Sequence, residues 1–334
     1  MRRDDLNGFA ERFRHFGEVE AAGSSDLYAG LSMLIADDEE VLAVAAAANP
    51  TQPLPNLLFA SVKFLLRKDG IELSLLLPVP EVYETFRSVV LGRRDEVEML
   101  LTSRLVQTNE VRRSIYLYLS FLKASQEFPE REFALVEIGA SAGFNLLFDR
   151  YEYSFDRTPL FGCVGSPLRV ESKLIGDRMP PFELIGNPIR QRVGLDLNVI
   201  DINSKADCDW LRALIWPEHV DRQELLEKAI ACRGLEDVRM IQGDAVELLA
   251  SVLNGIPAEV TPFVFHTHVA NQLSSASRAS LLNLIDVTGK SRDIVHLHNN
   301  IEPHLHMTIY RKGLRFGTPI ARVDGHARWV EWLA

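Results

Sequence analysis

Cysteine is scarce in this chain. Cys163, Cys208 and Cys232 are the only three in 334 residues, they lie far apart and no two form a CxxC pair, so neither a disulfide framework nor a thiolate zinc site is supported. Positive charge is short as well: 36 Lys and Arg stand against 46 Asp and Glu, a formal charge of −10. A broad phosphate-binding surface needs clustered cations that displace counterions, so nucleic acid is not an expected partner. The basic clusters at 63–68, 93–94 and 112–113 sit in helix-like patterns and read as solvated faces. Long apolar runs are missing too. The opening MRRDDLNGFAERFRHF is charged and amphipathic, and the apolar stretch at 41–48 is too short for a bilayer, so the expectation is a cytoplasmic protein with no membrane partner and no export signal.

What is present is enough for a large core, with 47% hydrophobic residues. Up to about residue 126, apolar residues recur at three- and four-residue spacing, which predicts helices. Ser24 and Ser25 are candidate N-caps for DLYAGLSMLIADD, Pro55 occupies a first turn before NLLFASVKFLLRK, and Gly70 ends that helix. Further helices are predicted over 79–91 and 96–128. The break at Phe128-Pro129-Glu130 divides an N-terminal helical region, 1–130, from an α/β domain, 131–334.

In the second part, strand-like segments at 133–138, 192–197, 238–242, 262–267 and 294–298 alternate with helix-like ones at 207–233, 245–254 and 276–290. That alternation predicts a parallel sheet covered on both faces. Segments 306–310, 318–323 and 328–332 lack intervening helices and predict an antiparallel finish. The span 150–190, with YEYSF and several prolines, reads as an insertion that lids a pocket or packs as a β-rich flap, and packing is favoured.

The most informative stretch is FALVEIGASAGFN at 133–145. A buried strand meets a turn in which Gly139 and Gly143 allow close backbone approach, and a helix is expected to open over 142–148 with its amides facing a ligand. Glu137, two residues before the first glycine, points to S-adenosylmethionine. The letters Gly139-Ala140-Ser141-Ala142-Gly143 also satisfy GxSxG, which would make Ser141 the nucleophile of an α/β hydrolase with Asp244 and His298 or His326 as partners. No HGGG-type loop precedes it. An ordinary strand-to-helix turn is the third reading.

Asp196 in GLDLN ends a strand where a carboxylate can grip both hydroxyls of a ribose, and Asp244 with Ala245 in QGDA can meet an adenine. Taken singly, an Asp at such a place is more often a helix N-cap or turn former. Together, Glu137, Asp196 and Asp244 fall on one rim, outside the carboxyl ends of the strands, where open α/β sheets collect ligands.

With these pieces the chain resembles class I S-adenosylmethionine-dependent methyltransferases: EIGASAG is similar to their first motif, GLDLN to their second and QGDA to their later acidic turn. Over nearly its whole length it resembles a bacterial family of unknown function with a methyltransferase-like domain, through SSDLYAGLSMLIADD, QTNEVRRS, EIGASAGFNLLFDRYEY, IWPEHVDRQELLEKA, QGDAVELL, FHTHVANQLS and GHARWVEWL. The resemblance implies a Rossmann-like methyltransferase sheet, mostly parallel with an antiparallel end strand, after an N-terminal all-helical region. It also implies S-adenosylmethionine held by Glu137, Gly139, Ala140, Ser141, Gly143, Asn145, Asp196, Asp244 and Ala245. In the run Gln107-Thr108-Asn109-Glu110, Asn109 or Glu110 would cover the cofactor's amino-acid end while Arg113 meets its carboxylate. Two features depart from the methyltransferase pattern: Ser141 puts a hydroxyl between the glycines, and the gap from Gly143 to Asp196 is long.

Histidines form the last constellation. His266/His268, His296/His298 and His304/His306 are HxH pairs whose period of two puts each pair on one strand face. Neighbouring strands would let their rings converge on a divalent metal, but no HExxH pattern supports this and no metal is assigned. His266 and His268 end the predicted fourth strand, where one is expected to act as a general base near neutral pH. The expected function is methyl transfer to a small-molecule or protein acceptor. An esterase using Ser141 and a non-catalytic adenosyl-cofactor-binding protein are the alternatives.

Overall fold

The computed structural model describes residues 3–107, 109–184 and 189–334, so Thr108 and residues 185–188 of the 150–190 insertion lie outside the described residues. In chain order the helices are α1 (Arg3–His15), α2 (Asp26–Ala36), α3 (Glu39–Ala45), α4 (Leu54–Lys68), α5 (Val79–Gly92), α6 (Arg94–Ser103), α7 (Ser114–Glu127), α8 (Lys205–Leu214), α9 (Val220–Arg233), α10 (Ala245–Asn254) and α11 (Ser275–Ser291). The strands are β1 (Glu132–Ile138), β2 (Glu152–Phe155), β3 (Phe161–Gly162), β4 (Arg169–Ile175), β5 (Ile189–Asp196), β6 (Arg239–Gln242), β7 (Val260–His266), β8 (Ile294–His298), β9 (Leu305–Arg311), β10 (Leu314–Val323) and β11 (Trp329–Trp332). Packing divides the chain into a unit of residues 1–108 with 203–224 and a unit of residues 109–202 with 225–334.

The first unit is helical because its sequence supplies both apolar stripes and stops. Ser25 caps α2 by accepting the Tyr28 amide at 3.0 Å. Gly70, at φ +73°, closes α4: its amide returns to the Arg67 carbonyl and the Ile71 amide to the Leu66 carbonyl, a Schellman ending. Between these signals, Leu57, Phe59, Val62 and Leu66 of α4 bury against Phe13, Phe16 and Phe86, and Tyr28 stacks on Phe59 with ring centres 4.1 Å apart. The single helix predicted over 96–128 is two helices, α6 and α7. The main chain between them finds other partners: the Leu105 carbonyl takes the Trp210 indole N–H at 2.9 Å, and the Val106 amide gives to Gln52 Oε1 at 2.9 Å. The helix predicted over 207–233 is likewise split into α8 and α9, at Pro217, whose ring removes a donor and disfavours helix in the preceding residue.

In the second unit the strands form one mixed sheet of order β3-β2-β4-β11-β10-β9-β8-β7-β1-β5-β6 among the described residues. β1, β5, β6, β7 and β8 run parallel, and β8 to β11 meander antiparallel, as the missing helices predicted. The sheet does not stop there. The insertion contributes β2, β3 and β4, and β4 pairs parallel with β11, so this span extends the sheet. The chain moves outward from β1 to β5 and β6, then returns to β1's other side for β7 and β8. The strand order therefore reverses between β1 and β7, and a crevice forms at such a switch point. Leu249 and Leu253 of α10 and Leu281 and Ile285 of α11 bury with Ala134, Val136, Leu195 and Val264 of the sheet. Phe121 of α7 meets Phe133 and Phe263 edge-on. No helix among the described residues is long and apolar enough to cross a membrane.

Candidate functional site

β1 ends at Ile138, and the chain then turns through three left-handed residues, Gly139 at φ +74°, Ser141 at +50° and Gly143 at +77°. The turn is held from the neighbouring strand. The Gly139 and Ala140 amides give to the Leu195 carbonyl at 2.8 and 3.2 Å, and Asp196 Oδ2 accepts the Ser141 amide at 2.7 Å. Asp196 Oδ1 accepts the Asn198 amide at 2.8 Å. A Cβ at Gly139 would stand 2.3 Å from Val269 Cγ2, so the turn packs on the loop that follows β7 and admits no side chain there. Asp196, expected to grip a ribose, is thus the residue that fixes the turn.

The helix expected from Ala142 is a correction. The structure has a 3₁₀ segment, Phe144–Arg150, with Leu147 off helical geometry at φ −105° and ψ 18°, so no row of α-helical amides faces a ligand. What the turn offers instead is side chains. Glu137 Oε2, Ser141 Oγ and Asn145 Oδ1 are buried and make no hydrogen bond, while Glu137 Oε1 receives Asn145 Nδ2 at a long 3.5 Å. Burial pushes the Glu137 carboxyl well above the usual carboxylate range, and Asp196 adds to this while Asn145 and Arg113 oppose it, which favours its protonated form. Buried polar atoms are normally satisfied. A ligand with both donors and acceptors would satisfy these three.

Asp244 caps α10, its Oδ1 accepting the Val246 amide at 2.8 Å, and Ala245 is that helix's first residue. The Asp244 carboxylate is exposed, and the Gly243 amide before it gives to the Asp196 carbonyl at 2.8 Å.

The residues before α7 meet a part of the chain that the sequence did not link to them. Glu110 Oε2 lies 3.0 Å from His326 Nδ1, and Arg113 Nε gives to the Gly325 carbonyl at 3.0 Å. Asn109 Nδ2 is buried and unpartnered. The segments QTNEVRRS and GHARWVEWL are thereby joined across about two hundred residues. Both stood out as family-like, and that was the one signal that could have paired them.

The histidines separate into two groups. His266, His296 and His298 are buried on one face of β7 and β8, with His266 Nε2 3.2 Å from His296 Nε2. Burial, with His298 adding to it, pushes the His266 imidazole down to about 3. Burial and then His306 push His298 down to about 4, and His296 lies well below the ordinary value for the same first reason. The strands are neighbours, as the metal reading required, yet among the described residues no three His, Cys, Asp or Glu side chains are arranged to hold a metal ion. His268 stands apart at φ +57°, its amide held by Asn299 Oδ1 at 2.8 Å and its Nε2 buried without a partner. Burial, then the charges of Arg113 and His326, bring its pKa down to about 4. The expectation that His266 or His268 is a base near neutral pH is therefore corrected: each holds a proton too weakly.

The hydrolase constellation is not assembled. Ser141 Oγ has no partner, Asp244 caps a helix, His298 belongs to the buried row and His326 faces Glu110. Two open cavities lie elsewhere: one of about 520 Å³ at the amino-terminal halves of β5 and β6, beside Arg190, Arg192 and Val193, and one of about 630 Å³ beside Met307, Ile309 and Phe316 on the β9–β10 hairpin.

Residues 10–332 match the family described as an uncharacterized protein conserved in bacteria, DUF2332. The chain belongs to this family. No curated protein matches it. In this DUF2332 member the end of β1 and the turn after it hold the buried Glu137 carboxyl, the Ser141 hydroxyl and the Asn145 amide, whose Oδ1 has no partner, and the loop after β10 brings His326 to Glu110 and Gly325 to Arg113.

Proposed function

We propose that this protein binds S-adenosylmethionine at the Gly139–Gly143 turn and transfers its methyl group to a protic acceptor docked beside His268. One observation carries the reading: buried Glu137 Oε2, Ser141 Oγ and Asn145 Oδ1 stand unsatisfied at a left-handed glycine turn, at the point where the strand order reverses. The parallel core β6-β5-β1-β7-β8 supports a Rossmann-like methyltransferase sheet, although β9 follows β8 directly in the meander and the sheet continues to β3. Asp196 supports the turn from behind, and Gly139, Ala140 and Gly143 shape it. Glu137 and Asn145 supply hydrogen bonds to the ligand, Asn109 adds a donor, and Asp244 with Ala245 edges the base. The chain's part in the chemistry is orientation, since aligning an already activated group with its acceptor supplies several kcal/mol.

Titration calorimetry with S-adenosylmethionine and with S-adenosylhomocysteine is the direct test. Saturable one-site binding of both, lost in Glu137→Ala, is the expected result. Absence of heat with the folded wild type, or covalent labelling of Ser141 by a fluorophosphonate, would overturn it.

A further inference from the structure

The base for such a transfer is not among the histidines that the sequence suggested. His266 is fully buried and bonded to His296, and burial with the nearby Arg113 makes His268 too weak a base, its pKa down to about 4. Yet the same edge contains a different imidazole. The loop between β10 and β11 presents His326 with Nδ1 3.0 Å from Glu110 Oε2; the Glu110 side chain is 2% exposed and that of His326 is 44% exposed. The ring is fixed from its backbone too, because Asp324 Oδ1 accepts the His326 amide at 3.0 Å and the Arg328 amide at 3.1 Å. Arg113 Nε anchors the loop at the Gly325 carbonyl, and a Cβ placed on Gly325 would touch His268 Cε1 at 3.8 Å. Val269, next to His268, is the residue against which Gly139 packs. The loop carrying His326 is thus tied by consecutive contacts to the glycine turn.

We propose that Glu110 and His326 form a proton-accepting pair, with Glu110 positioning the ring and His326 Nε2 taking the proton of an acceptor docked between His268 and residues 324–328. This rests on the transferase reading for the identity of the acceptor. A carboxylate at Nδ1 fixes the tautomer with hydrogen on Nδ1, which leaves the Nε2 lone pair on the opposite, open edge. The acceptor's X–H bond breaks there, its electron pair stays on X, and the proton goes to Nε2. The imidazolium then has the Glu110 carboxylate as its counter-charge and releases the proton through its exposed edge. The other charged groups around this ring are Asp324 and Arg328 from its own loop and Arg113 from the turn before α7, and the titratable His268 of the loop after β7 is neutral. The Asp324–Arg328 pair is satisfied within the loop, with Nη2–Oδ2 at 2.9 Å, and Glu110 Oε2 is the carboxylate oxygen that meets the imidazole, at 3.0 Å.

The test has two arms. Nitrogen-15 NMR of the full chain at neutral pH reads the tautomer without any ligand: His326 with hydrogen on Nδ1 in the wild type, and a return to the common Nε2–H form in Glu110→Ala, is expected, whereas a wild-type ring protonated at Nε2 overturns the pair. The second arm follows S-adenosylhomocysteine formation by mass when the protein is given S-adenosylmethionine and a pooled small-molecule extract of bacterial cells. His326→Gln is expected to slow it about 10²- to 10⁴-fold, the usual worth of a positioned base, with calorimetric binding of S-adenosylmethionine unchanged. Glu110→Gln, which keeps an acceptor at Nδ1 and removes the charge, should retain the tautomer and lose part of the rate. Unchanged turnover in His326→Gln overturns the proposal. A wild type that binds no S-adenosylmethionine sinks the transferase reading and the acceptor role with it, while the tautomer arm still decides whether the pair exists.

Discussion

In the helical unit, Asp38 accepts the Glu40 and Val41 amides, the Tyr83 hydroxyl and the Arg87 guanidinium, Lys63 gives to the Ile215 carbonyl, and Glu218 accepts the Ser25 hydroxyl and the Leu27 amide. At the carboxyl rim of the sheet, Glu137, Ser141, Asn145, Asn109 and His268 each keep a buried polar atom without a partner. The helical unit has its own exceptions, Tyr28 Oη and Arg67 Nε, so the contrast is one of concentration around the turn. In one place polar side chains close helix ends and lock packing; in the other they are held by the fold in an unsatisfied state, which a structure tolerates where something else is to be bound.

Acid should expose the contrast most strongly. His266, His296 and His298 are neutral in the fold with lowered pKa values, while the unfolded chain protonates them below about 6.5. The unfolded state therefore binds more protons as pH falls through about 6.5, and stability drops from there until each ring titrates in the fold, about 4 for His298 and about 3 for His266, by up to about 1.4 kcal/mol per pH unit for each ring. Glu137 acts with the opposite sign: its raised folded value gives a contribution that is complete below about 4.3 and lost as pH rises through that folded value. Urea midpoints at successive pH values should fall on the acid side of 6.5 because three histidines outweigh one carboxyl. A flat profile there would mean that the imidazoles are not buried.

Asp196→Ala comes next. It strands the Ser141 and Asn198 amides and should cost about 3 kcal/mol in chemical denaturation and abolish ligand binding at the turn. A variant of wild-type stability would show that the turn stands without its carboxylate brace. Two glycines then sharpen the comparison. Gly139→Ala meets a left-handed φ and the Val269 methyl, a loss of about 2 kcal/mol by thermal melting. Gly8→Ala, in α1 with open space around its Cβ, should gain up to about 1 kcal/mol in the same measurement. Equal effects at the two positions would remove the claim that the turn is specially constrained.

Much of the framework was legible. The alternation of β6, α10, β7, α11 and β8 follows from local periodicity and turn chemistry, as do the Ser25 cap and the Gly70 ending, because each depends on residues within a few positions of one another. The breaks in 96–128 and 207–233 were harder. Leu105 and Val106 leave helix for side chains supplied by Trp210 and Gln52, partners too distant in sequence for any window to contain. Of the site, Glu137 and the glycines were readable as a motif, whereas the Asp196 brace, the 3₁₀ segment and the depressed histidines depend on what surrounds them.

The amino-acid order by itself determined the helical character of the first part, the strand–helix alternation of the second and the tight glycine turn after β1, since backbone sterics and periodic burial act over short stretches. Only the folded sheet decided that Glu110 faces His326 and Arg113 faces Gly325. Those pairs join residues more than two hundred positions apart, and long-range proximity, with the burial and electrostatics it creates, exists once the strands have taken their order.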